Sequence, residues 1–75
     1  MLDDRQCQIE FGKFIRVGRE NQKMFQSQVA EQLDITQQYY STIENGSRNV
    51  DFVLALKICK ILKLNIEDFI RTHMK

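Results

Sequence analysis

Residues 26–46, QSQVAEQLDITQQYYSTIENG, constrain the fold of this chain more than any other stretch. Two short amphipathic helical patterns lie back to back there, with only a tight break at Leu33-Asp34-Ile35 between them. Val29, Ala30 and Leu33 fall at i, i+1 and i+4 in the first, and Tyr40 and Ile43 sit three apart in the second. Side chains three and four apart share a face of a helix, so each pattern has one apolar ridge. Gln37, Gln38, Ser41, Thr42 and Asn45 gather on the opposite face of the second pattern, and all are uncharged hydrogen-bonding side chains.

The rest of the chain agrees with a helical reading. Its 75 residues include no proline and only 3 glycines, which leaves little material for extended loops. Val, Ile, Tyr and Phe never alternate with polar residues over the length of a strand, which excludes a sheet. An apolar fraction of 43% supplies one small core, so residues 1–75 are expected to form one domain. The acidic start MLDDRQCQ is unlike a signal peptide and no apolar run reaches spanning length, so no membrane is expected and the cytoplasm is the expected location.

Five helices can be placed. The first covers about 8–22, with Ile9, Phe11, Phe14, Ile15 and Met24 on its apolar side. The second spans Gln26–Leu33. The third follows Thr36, whose hydroxyl can cap free backbone amides for about 1 kcal/mol. It ends at Asn45-Gly46, where helical flanks favour a left-handed C-terminal glycine over a hairpin turn. The fourth runs over 51–62, capped by Asp51, and buries Leu54, Ala55, Ile58 and Leu62. The fifth runs over 66–74, with Asn65 as its cap and Asp68 expected to complete a capping box.

Several chemistries are excluded. One histidine, His73, near the chain end, with no Cys–His or Ser–His–Asp set, excludes an enzyme; no catalytic residue, cofactor or small-molecule substrate is expected. Cys7 and Cys59 are too few and too far apart for a metal site; Cys59 reads as a small core residue and Cys7 as a surface residue near a frayed end. The polar ridge at 37–45 points elsewhere. Base edges in the major groove of double-stranded DNA present paired donors and acceptors that amide and hydroxyl groups can match. The net charge of +1 is small for a protein that binds nucleic acid by charge alone, so placement must matter more than excess. Lys13, Arg16 and Arg19 recur at three-residue steps on one helix and Lys57, Lys60 and Lys63 on another, the second stripe reading as a solvated face.

Over residues 11–70 the chain resembles the Cro/repressor-type (XRE-type) helix-turn-helix domain of phage repressors and small bacterial regulators. Residues 26–33, Ile35-Thr36-Gln37-Gln38 and Ile43-Glu44-Asn45-Gly46 carry the resemblance, with Val29, Leu33, Ile35, Tyr40 and Ile43 at core positions and Ala30 where two helices cross closely. It implies an all-α, compact five-helix, lambda-repressor-like DNA-binding domain with the helix-turn-helix at helices 2 and 3. It also implies a sequence-specific transcriptional regulator, a repressor that binds a two-fold operator as a homodimer.

Site residues follow from the same resemblance. Gln37 and Gln38 would open the recognition helix on bases or phosphates, Thr42 would read a base one turn on, and Ser41 shares their face. Gln26 would bond a phosphate and brace the recognition helix, while Asn45 and Arg48 would hold the DNA backbone. Tyr39 either reaches the sugar-phosphate backbone or packs across the domain surface. Arg19 and Glu44 match a partly buried structural ion pair, the alternative for Arg19 being a phosphate contact. Ile66, Phe69, Ile70 and Met74 form the candidate dimer surface, with core packing as the alternative.

Departures from the family pattern are specific. Phe25 stands where relatives carry Ser or Thr, so the second helix loses a cap, and Lys23, Asp34 and Lys63 stand where glycine is frequent. Gly18 replaces a usual Leu and Tyr40 a usual Ile or Val, and the Tyr40 ring is expected to fill the volume over Gly18. The competing function is a protein-interaction module with the same fold, or an antitoxin-like protein that binds a partner.

Overall fold

Free backbone amides at a helix start need acceptors, and the sequence supplies them. In the computed structural model, which describes residues 1–74, α1 is Asp4–Asn21, α2 Gln26–Leu33, α3 Gln37–Glu44, α4 Phe52–Ile61 and α5 Ile66–His73. Asp3 Oδ1 accepts from Gln6 N at 2.8 Å while Gln6 Oε1 accepts from Asp3 N at 3.3 Å, a reciprocal capping box. This box starts α1 four residues earlier than the apolar pattern indicated. Cys7 is therefore half-buried inside a capped helix and packed against the core, not at a frayed surface end. Thr36 Oγ1 caps α3 through Tyr39 N at 3.0 Å, and Asp51 Oδ1 caps α4 through Leu54 N at 2.8 Å. Asn65 Oδ1 accepts from Glu67 N at 2.9 Å. Asp68 completes no box there; its carboxylate lies 3.7 Å from Arg71 instead. Phe25, with no acceptor, leaves α2 only the return bond, Phe25 N to Gln28 Oε1 at 2.7 Å.

Four helices end in one way. Lys23, Asp34, Gly46 and Lys63 each hold a left-handed backbone, with φ of 56°, 58°, 77° and 57°. The amide after each reaches back five residues: Met24 N to Arg19 O, Ile35 N to Ala30 O, Ser47 N to Thr42 O and Leu64 N to Cys59 O, all between 2.8 and 3.1 Å. This is the Schellman arrangement, in which one left-handed residue satisfies the last carbonyls. The residues that follow, Met24, Ile35 and Leu64, fold back onto the core. Glycine serves at only one of the four positions.

The apolar ridges meet in one core of Phe11 and Ile15 from α1, Val29 and Ala30 from α2, Tyr40 and Ile43 from α3, Ile58, Cys59 and Leu62 from α4, and Phe69 from α5. A Cα radius of gyration of 11.4 Å is what one close-packed unit of this length needs, about 11 Å. Phe69 sits edge-on to Phe11 at 5.5 Å and tilted to Phe14 at 5.4 Å. The C-terminal apolar residues are thus mostly spent on the core: Phe69 is buried, Ile66 and Met74 are half-buried, and Ile70 is exposed. Burial pushes the Cys59 thiol above its ordinary range, which suits an inert core residue.

Two glycines on α1 set how closely it is approached. A Cβ on Gly12 would stand 2.7 Å from Ile43 O and collide with Glu44 O, so α1 meets the last turn of α3 backbone to backbone. The space over Gly18 is taken by Leu64, whose Cδ1 lies 2.6 Å from where a Cβ would stand. Leu64, delivered by the turn after α4, fills the volume expected of Tyr40; the Tyr40 ring fills the centre of the core instead. No described helix is long and apolar enough to cross a membrane.

Candidate nucleic-acid interface

The turn between α2 and α3 holds Asp34, Ile35 and Thr36, and the conformations of Asp34 (left-handed) and Thr36 (extended) turn the chain sharply. With Tyr40, Ile43 and Glu44 buried, α3 is fixed in rotation. Gln37, Gln38 and Asn45 are consequently exposed, and Ser41 and Thr42 half-buried at the edge of the same face.

The helices are tied together behind that face by a bonded cluster. Arg19 Nε donates to Glu44 Oε2 at 2.7 Å and Nη2 to Glu44 Oε1 at 3.1 Å, while Nη1 donates to Met24 O at 2.9 Å. Gln26 Nε2 adds a bond to Glu44 Oε1 at 3.1 Å. The Arg19–Glu44 pair thus joins the end of α1, the turn after it, the start of α2 and the end of α3. Side-chain exposure is 13% for Arg19 and 3% for Glu44, so water competes weakly for the pair. Burial pushes the Glu44 carboxyl upward, but the bonds from Arg19 and Gln26 outweigh that and hold it below the ordinary glutamate value. The Tyr40 hydroxyl lies buried beside this cluster without a well-formed hydrogen bond. Burial, with the Glu44 carboxylate adding, raises its ionisation far above the ordinary phenol range, so Tyr40 stays neutral.

Arg19 is therefore a structural cation, and the basic stripe expected on α1 shrinks to Lys13 and Arg16. Lys13 in turn lies 3.3 Å from Glu10.

The loop after α3 is bonded as closely. Asn45 Oδ1 accepts from Ser47 N at 3.0 Å and from Ser47 Oγ at 2.6 Å, which leaves the Asn45 NH₂ group for an acceptor outside the turn. Thr42 Oγ1 donates to Tyr39 O at 2.6 Å and accepts from Arg48 Nε at 3.2 Å. Arg48 Cζ stands 4.7 Å from the Tyr39 ring centroid, within cation–π range. Tyr39 is half-buried, packed against the core and under Arg48. Asn and Ser two apart after a helix are a recognisable turn signal, and Ser47 supplies both donors to Asn45 here.

Comparison with known proteins agrees with this geometry. Residues 15–69 match the helix-turn-helix family model. The chain is 38% identical over 61 residues to control protein C.MunI of a Mycoplasma sp., an alignment that covers 80% of this chain and 82% of that protein. No solved structure gives a significant match.

Proposed function

Because the chain belongs to the helix-turn-helix family and is a DNA-binding regulator, we propose that it acts as a repressor, binding a two-fold operator as a dimer with α3 in the major groove. The observation that carries this reading is the exposed face of α3. Gln37 and Gln38 stand in its first turn on a helix locked in rotation from behind, and nothing in folding requires amides there. A glutamine amide can pair with adenine through both its groups, and each such pair discriminates by about 1–3 kcal/mol. Ser41 extends that face by one turn. Gln26 has used one N–H on Glu44 and keeps the other for a phosphate, while Asn45 offers its NH₂ and Arg48 its Nη groups.

One domain of this size reaches few base pairs, so two copies on half-sites roughly 34 Å apart are needed for useful affinity. The apolar side chains Phe52, Val53 and Leu56 on α4, at 73%, 52% and 44% exposure, support contact with a second copy better than the C-terminal residues do, of which only Ile70 is exposed.

The net charge of +1 favours a second reading, a protein-interaction module with the same fold. Salt dependence of binding to duplex DNA separates the two. With one Arg48 on a phosphate per protomer, a dimer gives a slope of log K against log salt of at least about −1.8, from about −0.9 per neutralised phosphate. A slope near zero, or no binding, would favour the interaction module.

A further inference from the structure

Tyr39, Thr42 and Arg48 form a linked set that base reading by α3 does not use. The Thr42 hydroxyl has one proton, and it goes to Tyr39 O at 2.6 Å. Its oxygen can then only accept from elsewhere, and Arg48 Nε takes one of its two lone pairs at 3.2 Å. The Tyr39 ring, packed on the core, supports the guanidinium from below at 4.7 Å. Two of the three guanidinium nitrogens, Nη1 and Nη2, are left for an outside acceptor. An arginine held this way enters a complex with much of its rotamer freedom already removed.

Resting on the reading of α3 as the DNA-binding helix, the geometry assigns Tyr39 and Thr42 to positioning: together they hold the Arg48 guanidinium with its two Nη groups aimed outward at the paired oxygens of a DNA phosphate. Thr42 then contributes to affinity through Arg48, and not by bonding a base through its hydroxyl.

A double-mutant cycle in DNA binding, joined to a measurement on the free protein, tests this. Thr42→Val keeps shape and removes the hydroxyl; it is expected to weaken binding about three- to tenfold in the wild-type background. In the Arg48→Ala background the same change should cost nothing. Tyr39→Leu, which removes the ring under Arg48, should lose affinity to a similar extent as Thr42→Val. By NMR of the free protein, the Arg48 Nε–H should exchange slowly with water, and fast after Thr42→Val. An equal loss from Thr42→Val in both backgrounds, no loss in either, or fast exchange in the wild type would overturn the positioning role alone. A wild type that binds no duplex would overturn the functional reading along with it.

Discussion

Glu44→Ala is the most informative change to the fold itself. It removes a carboxylate with 3% exposure that receives three hydrogen bonds, two from Arg19 and one from Gln26. The Arg19 guanidinium, itself 13% exposed, would be left with Met24 O as its remaining bonded partner in the cluster. Breaking a buried pair on one side costs about 3–5 kcal/mol, most of it the penalty for the stranded charge. A chain of this length has a total stability of about 4–11 kcal/mol. The loss is therefore between about a quarter and all of it. For a domain of this size it lowers the thermal midpoint by at least about 12 °C, or leaves the variant unfolded. Urea unfolding followed by far-UV circular dichroism reads the difference. Replacing both partners, as Arg19→Met with Glu44→Leu, removes the stranded charge and should recover most of the loss, because an apolar pair needs no compensation. A Glu44→Ala midpoint equal to wild type, or a double variant no better than the single, would refute the reasoning.

Three further outcomes follow from the same structure. Glu44 is held below its ordinary value of about 4.5, so its stabilising contribution is complete above that pH and lost as pH falls through the folded-state value; urea midpoints should drop in acid for wild type and less for Glu44→Gln. Gly12→Ala drives a methyl into the carbonyls of Ile43 and Glu44, backbone atoms that cannot step aside, and should cost about 1–3 kcal/mol or more by thermal melt. Lys23→Gly and Lys63→Gly relieve left-handed strain of about 1–2 kcal/mol and return part of it as chain entropy, so each should raise the melting midpoint; a fall would show that the lysine side chains contribute at those corners.

The elements that could be read in the sequence were those whose causes lie within one or two helical turns. Apolar spacing placed the five helices, and Thr36, Asp51 and Gly46 marked helix ends because capping is local chemistry. The start of α1 was equally legible in Asp3 and Gln6, but a polar first turn hides from a search for apolar periodicity. Contacts distant in sequence were legible only where the family resemblance supplied them, as for Arg19 and Glu44. Nothing near Gly12 announces that α3 will press on it, and nothing near Gly18 points to Leu64. At the interface, the exposure of Gln37 and Gln38 followed from their place opposite Tyr40 and Ile43. Arg48 could be nominated but not oriented, since its partners Thr42 and Tyr39 lie across a turn whose path depends on Gly46 and Ser47.

Binding-site selection from random duplex DNA at moderate salt tests the central claim most directly, that the exposed amide face of α3 reads sequence. Wild type should enrich a two-fold sequence with half-sites about one helical turn apart, and Gln38→Ala, exposed and outside the core, should fold normally and lose the preference at the base pair it reads. No enrichment by the folded wild type, or the same sequence enriched equally by Gln38→Ala, would contradict it.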